Sequence, residues 1–391
     1  MELYGVKLDL KLLTSLSKEL EKRLKSLMRD IYELSGSKFN INSPKQLRVI
    51  LFEVLKLPVI KRTKTGPSTD EEVLSRLSGR HRLPELLLEY RQLTKLKTTY
   101  IDPLPSLVDS RTGRLHTSFN QCATETGRLS SSNPNLQNIP VRTEIGSKIR
   151  RGITASDKNG LLVSCDYSQI ELRILAHLSK DINLVTAFNS ASDIHKITAG
   201  LIYGVRESDV TDQMRDTAKR VNFGIVYGLT SFGLSRDLGI SIGEAQAFIE
   251  AYFLRYPKVR DYIEEEIKIA EKKGFVTTIL GRRRYIPEIN SKNMSIRQFA
   301  QRQAVNTPIQ GSASDLIKLA MINIQADIEK KSLRAKMVLQ VHDELLFDLP
   351  KEELSSLVGL ARDKMEKVLK LDVPVVVDIK QGANWLEMKE V

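Results

Sequence analysis

The sequence predicts an α+β protein, and three observations carry that prediction. In the first hundred residues, apolar side chains recur at three- and four-residue steps, the period of a helix packed on one side. From residue 161 onward, strand-like apolar runs alternate with helical stretches, without internal repeat or low-complexity tract. The last 60 residues read strand, turn, strand over 336–349, helix over 351–369 and strand over 373–379. A hairpin, a helix and a further strand suit an α+β core and not a doubly wound parallel sheet.

Taken in order, the first helix is expected between Leu8 and Leu34, where Leu10, Leu13, Leu16, Leu20, Leu24, Leu27, Ile31 and Leu34 mark one face. Residues 1–65 carry 14 Lys or Arg against 7 Asp or Glu, so this segment is strongly basic. Lys61–Ser68 reads as an exposed loop closed by a helix start at Ser68 to Glu72. A second helix follows from about Pro84 to Tyr100. Such a segment is either a small bundle with a solvated charged face or an arm that grips a phosphate backbone. Arg114 to Phe119 resembles a short strand. The polar stretch Thr124 to Arg151, rich in Ser, Asn, Gln, Thr and Arg, suits hydrogen bonding to a nucleic-acid groove.

Composition sets outer bounds. With 391 residues, two or three packed units or one large enzyme domain fit. The hydrophobic fraction of 41% and charged fraction of 28% exclude a disordered chain, and the net charge of +12 points to a polyanionic partner. No apolar run approaches the roughly 18 residues of a membrane span, and the N-terminus has no apolar signal core. The two cysteines, Cys122 and Cys165, form no CxxC pair, against a disulfide scaffold or zinc ribbon. The expectation from these bounds is a soluble, basic, intracellular protein without a membrane partner.

Three segments carry chemistry. Leu161 to Gln169 is an apolar strand that ends in Asp166 and runs into the helix Ile170 to Ala176. An acid at a strand end is well placed to hold a metal; the competing reading is an N-cap for that helix. Met337 to Phe347 reads as a hairpin with His342, Asp343 and Glu344 at its centre, where Gly or Asn is usual. Strand alternation sets Asp343 on the face opposite His342 and Glu344, so Asp343 is the expected metal ligand and Glu344 an auxiliary acid. Two aspartates on separate strands can bracket two Mg²⁺ ions about 4 Å apart for in-line phosphoryl transfer. Few carboxylates are needed, because substrate phosphates complete a magnesium shell.

The third segment, Arg215 to Gly228, is the most specific. Arg215, Lys219, Phe223 and Tyr227 recur every four residues and share one helix face over roughly 18 Å. That face offers two cations for a triphosphate, then an aromatic platform, then a phenol. The competing reading is an amphipathic helix with its aromatics in the core.

Together these segments resemble DNA polymerase family A, the DNA polymerase I family. Asp166-Tyr167-Ser168-Gln169-Ile170-Glu171-Leu172-Arg173 is similar to its motif A, Arg215 to Gly228 to motif B, and Val341-His342-Asp343-Glu344 to motif C. Further similarity lies in Thr126 to Ser131, Asn135 to Pro140, Gly281 to Tyr285 and Gln310 to Leu316. The resemblance implies a right-hand polymerase fold with a palm antiparallel sheet, helical fingers and helical thumb. Residues 1–110 would be mainly thumb, and 111–180 palm with the template- and primer-contacting loop and motif A. Residues 181–290 would be fingers with the motif B helix, and 291–391 palm with the motif C hairpin.

By the same resemblance, Asp166 and Asp343 bind two Mg²⁺ ions with the Tyr167 carbonyl, Mn²⁺ being a substitute. Glu344 and Lys219 join them in catalysis. Arg215, Lys219 and His195 hold the incoming triphosphate, Phe223 covers the nucleotide, and Gln169 belongs to the same subsite. Tyr227 stacks near the templating position, and Glu171 forms with it a steric gate against a ribose 2′-hydroxyl. Arg128, Arg302, Asn306, Gln310 and His342 contact the primer-template duplex. The Arg282-Arg283-Arg284 run is either a phosphate contact or a solvated hairpin tip. The expected partners are that duplex and deoxynucleoside triphosphates, bound by a monomer. Because residues 1–110 show no strand-borne carboxylate cluster, proofreading is expected to be absent from this chain. Alternatives are substantial reverse-transcriptase activity, a single-subunit RNA polymerase, or an inactive nucleic-acid-binding module.

Overall fold

Strand Gly160–Tyr167 (β1) is the centre of the protein's main sheet in the computed structural model, which describes residues 1–140, 143–157 and 159–391. Lys336–Val341 (β2) and Glu344–Pro350 (β3) form a hairpin on one side of it, and Val377–Gly382 (β4) and Lys389–Glu390 (β5) lie on the other. The order is β2-β3-β1-β4-β5, and every pairing is antiparallel. The register sets Asp166 directly between Glu344 and Asp378. Side chains alternate along a strand, so the three acids share one face of the sheet.

The opposite face carries Val163, Cys165, Leu345, Phe347 and Ile379, all buried. They pack into one large core with helices Ile170–Ser179, Met294–Lys330 and Leu354–Glu366. The long helix Met294–Lys330 tolerates Pro308 in its interior, where the Ser312 hydroxyl donates to the Pro308 carbonyl. The same core extends under helices Ile194–Tyr203, Asp212–Val226 and Pro257–Lys273 through Ile194, Val221, Ile225 and Tyr262.

Helix Leu10–Ser35 begins where the Asp9 carboxylate caps the Leu12 amide and ends at Gly36, whose φ of 70° suits glycine. Its stripe Leu13, Leu16, Leu20, Leu27 and Ile31 is buried, each side chain contributing about 1.5–3 kcal/mol on burial. This stripe packs with helix Arg82–Leu96, and the resulting core reaches into the sheet through Leu162, Leu346, Val341 and Trp385. Lys7–Leu8 also pairs with Ile153–Thr154, tying the N-terminus to the sheet region.

Two local expectations are corrected. The segment 114–119 is not one strand: Arg114–Leu115 pairs with Val108–Asp109, and Ser118–Asn120 pairs with Ser130–Ser132. Thr117 between them turns inward, its hydroxyl bonded to Ser131 and to the Pro134 carbonyl. The last long strand is Val377–Gly382 and not 373–379, while the helix expected to start within 68–72 does so, the Asp70 carboxylate accepting from the Val73 amide to cap Glu71–Ser78. No helix among the described residues is long and apolar enough to cross a membrane.

Candidate active site

Asp166 stands at the end of β1 on the open face of the sheet. It is not the cap of the following helix: Gln169 occupies that position at φ 53°, with no side-chain capping bond. The Asp166 carboxyl is therefore available to a ligand. Asp343 and His342 form the two-residue turn between β2 and β3, with His342 at φ 54°. Strand alternation does not govern a turn, so the face assignment expected for Asp343 rests on another contact. Its carbonyl accepts the Tyr167 amide at 3.2 Å, fastening the turn to the end of β1.

The two aspartates feel each other. Desolvation, then the charges of Glu344, Asp343 and Asp378, push Asp166 up to about 7. Burial also raises Asp343, with Arg128 opposing it. Among the described residues, no three His, Cys, Asp or Glu side chains form a ready metal cage. Two carboxylates and the nearby Tyr167 carbonyl, set in excess negative charge, fit a hard divalent cation that keeps positions for water and substrate oxygens.

Glu344, expected as an auxiliary acid, is held by three side chains. One carboxylate oxygen accepts from the Ser164 hydroxyl at 2.6 Å and from the Trp385 indole N–H at 2.8 Å. The other faces Arg150 at 3.9 Å, and the Arg150 guanidinium lies 3.8 Å above the Trp385 ring. These bonds hold Glu344 as a buttress beside Asp166, and its charge acts on Asp166 through the sheet register. Trp385 and Arg150 escape sequence reasoning, since 41 and 194 residues separate them from Glu344.

Above the floor, Glu171 is 4% exposed and held at both oxygens. Arg128 donates to one at 2.7 Å and the Tyr227 hydroxyl to the other at 2.8 Å. Burial raises the Glu171 pKa, while Tyr227 and Arg128 oppose that rise. Burial and the neighbouring Glu171 charge push the Tyr227 phenol well up, so it remains a donor. The two residues expected to form a gate are thus in contact.

Helix Asp212–Val226 presents the expected face. Arg215 is half-buried and paired with Asp193 at 2.8 Å, while Lys219 is exposed. The Phe223 and Tyr227 rings lie 6.4 Å apart at 24°. Tyr227 sits at the helix's C-cap and remains 38% exposed. His195 is brought to this face but is buried, 5.9 Å from the Phe223 ring. Its Nδ1 lies 2.9 Å from the Asn222 amide nitrogen, and burial first of all lowers its pKa to about 4. His195 is therefore a neutral group, not the cation that a triphosphate ligand suggests. Asn222, 1% exposed, lies seven residues from Arg215 on the buried flank of the same helix side, outside the four-residue pattern that marks the face.

Arg302, Asn306 and Gln310 follow at four-residue steps on the long helix. The Asn306 amide reaches the Tyr227 carbonyl at 3.5 Å, and a Cβ at Gly228 would stand 2.8 Å from Arg302 Cγ, so this row abuts the end of the Arg215 helix. His342 is exposed and lines a cleft of about 1160 Å³. Arg91, Gln92, Lys95, Asn135, Gln137 and Asn138 line it with His342. The sequence marks the last three within the Asn135 to Pro140 similarity, without a role, and does not single out the two cations of helix Arg82–Leu96.

Comparison with known proteins agrees with this geometry. A family model described as DNA polymerase family A matches residues 10–387. DNA polymerase I of Bacillus subtilis (strain 168) is 51% identical over 389 residues, covering 100% of this chain and 44% of that protein. The thermostable DNA polymerase I of Thermus aquaticus is 50% identical over 392 residues, covering 100% of this chain and 47% of its own. The chain thus spans less than half the length of these relatives. Among solved structures, the POL domain of Pol1 from M. smegmatis, in complex with DNA primer-template and dNTP, matches with a TM-score of 0.94 at 43% identity. That match covers 97% of this chain and 67% of the other.

Proposed function

Because the chain belongs to DNA polymerase family A, we propose that it is a template-directed DNA polymerase, adding deoxyribonucleotides to a primer 3′ end. Members of this family have the right-hand fold and use divalent metal ions. The observation that carries the reading is the pair Asp166 and Asp343, fastened together by the Tyr167–Asp343 backbone bond beneath the Arg215–Tyr227 face.

Two Mg²⁺ ions, with Mn²⁺ as a substitute, would be held by Asp166, Asp343 and the Tyr167 carbonyl and would acidify the primer hydroxyl and neutralise the leaving pyrophosphate. The remaining work falls to side chains. Arg215 and Lys219 fix the triphosphate, and Lys219 stands ready to supply a proton to the leaving group. His195 donates from its neutral ring, Phe223 covers the nucleotide, and Gln169 borders its sugar. Glu171 and Tyr227 fill the space a 2′-hydroxyl would need. Arg128, Arg302, Asn306, Gln310 and His342 follow the minor groove, whose acceptors look alike for all correct pairs. The cleft that His342 shares with Arg91 and Lys95 takes the duplex. Monomeric action in a bacterial cytoplasm completes the proposal.

Primer extension with Mg²⁺ on DNA and RNA templates, with deoxy- and ribonucleotides, tests the reading. Extension is expected on DNA with deoxynucleotides and is lost in Asp166→Asn and Asp343→Asn. Failure of the unmodified protein to extend any primer overturns it.

A further inference from the structure

Three of the sequence segments noted above, Thr126 to Ser131, Gly281 to Tyr285 and Gln310 to Leu316, have given the site only Arg128 and Gln310 so far. They meet at one side chain. The Arg282 guanidinium donates from Nη2 to the Thr126 carbonyl at 2.7 Å and to the Gly311 carbonyl at 3.0 Å, and from Nε to Asp315 at 2.9 Å. The other Asp315 oxygen is buried without a hydrogen-bond partner among the described residues, so Arg282 carries most of that carboxylate's compensation.

The space around the guanidinium is made by two glycines. A Cβ at Gly127 would lie 2.6 Å from Arg282 Cζ, and one at Gly311 would lie 2.9 Å from Arg282 Nη2. Neither neighbour is free to retreat, because Arg282 is pinned from three directions. Gly127 also sits at φ 80°, a conformation that side chains resist. The turn is held elsewhere as well. Its Gly127 carbonyl accepts from Ser314 at 2.6 Å, and Arg284, two residues beyond Arg282, pairs with Glu125 and donates to Thr307 at 2.9 Å. Arg283 alone of the three arginines turns outward, over the Phe275 ring. Two members of the arginine run thus face inward, which leaves Arg283 as the one directed toward solvent or a phosphate.

The residue after Gly127 is Arg128, which leaves this turn to donate to Glu171 at 2.7 Å. We propose that Arg282 is a positioning residue: it latches the Thr124–Arg128 turn to the long helix and so aims Arg128 at Glu171. Through that bond it governs how Glu171 and Tyr227 meet the nucleotide sugar. The proposal rests on the polymerase reading for its consequence, but the latch itself is independent of it.

Two measurements separate the parts. Hydrogen exchange followed by mass spectrometry reads the latch without activity. The 124–128 segment is expected to exchange faster in Arg282→Ala than in the unmodified protein, and unchanged exchange overturns the proposal. A double-mutant cycle then reads the consequence. Arg282→Ala should lower extension efficiency about 10- to 100-fold and reduce discrimination between deoxy- and ribonucleotides, and Arg128→Ala should do the same. In the double variant the losses should not multiply, because both substitutions remove one interaction. Multiplying losses, or a fall in melting temperature with sugar discrimination intact, means a structural role only and overturns it. Asp315→Asn, which keeps the shape and removes the ion pair, should shift both readouts the same way by less, and it serves where Arg282→Ala does not fold. If the unmodified protein extends no primer, the polymerase reading fails while the exchange experiment still decides the latch.

Discussion

The Tyr227 hydroxyl donates a 2.8 Å hydrogen bond to Glu171, whose second oxygen is taken by Arg128 at 2.7 Å. Glu171 is buried, so each partner offsets part of the cost of holding a carboxylate out of water. Removing it should do two things. Glu171→Ala opens space for a 2′-hydroxyl and frees the Tyr227 ring. Ribonucleotide incorporation relative to deoxyribonucleotide incorporation is expected to rise at least about tenfold. Single-nucleotide kinetics would measure it, and unchanged sugar selectivity would remove Glu171 from the gate.

Phe223 lies between His195 and Tyr227 with no polar atom on its ring. It offers nothing that can replace a missing 3′-hydroxyl. Phe223→Tyr should therefore improve dideoxynucleotide incorporation, on the order of 100-fold, since a site that hydrogen-bonds one group discriminates strongly through it. Chain-termination patterns from the two proteins settle the point.

Asp166 stands among like charges, and its carboxyl is raised to about 7. At pH 8 without metal, its ionised form is held against repulsion. Asp166→Asn should abolish extension by several orders of magnitude and yet raise the melting temperature in chelator by a few degrees. A thermal scan in chelator that shows no gain would mean that the acids are not crowded in solution.

His195 is neutral and buried, with its pKa lowered to about 4. Below its ordinary value of about 6.5 the unfolded chain binds a proton that the folded chain refuses. Stability from this group is complete above pH 6.5 and is lost as pH falls from there to about 4, by on the order of 2–3 kcal/mol. Chemical denaturation of His195→Gln beside the unmodified protein should show a flatter acid limb for the variant.

Glu266 gives the opposite slope. Burial, and then Glu265, raise it to about 7, so the folded chain holds a proton that the unfolded chain releases near its ordinary value. Stability is highest below that ordinary value and declines as pH rises to about 7, by on the order of 1–3 kcal/mol. Glu266→Gln should remove this decline and stabilise the protein at neutral pH.

What the sequence made legible was local. Periodicity located helix Leu10–Ser35 and the face of Arg215, Lys219, Phe223 and Tyr227, since a helix repeats within its own span. Apolar runs located β1 and the hairpin around Asp343. What stayed hidden depended on chain segments meeting late. Glu344 reads as an auxiliary acid, and only the fold brings Trp385 and Ser164 to one of its oxygens. His195 reads as a companion of Arg215 and Lys219, and its burial against Asn222 appears only in the fold. Arg282 reads as a surface charge until Gly127 and Gly311 are found on either side of it. In each case the residue type was noticed and its partner, tens to hundreds of residues away, decided its role.

Helix Leu10–Ser35 and the sheet that carries Asp166 do not bury separate interiors; Leu162, Leu346 and Trp385 belong to the same cluster as Leu13 and Leu27. Helix Arg82–Leu96, which lines the cleft, shares that cluster through Leu87 and Leu93, so the wall of the cleft and its floor are joined in one cooperative unit. Their amides should open to exchange together in rising denaturant. A mobile arm hung on a rigid base would show two separate transitions, and this shared interior leaves the wall no way to melt while the floor stays intact.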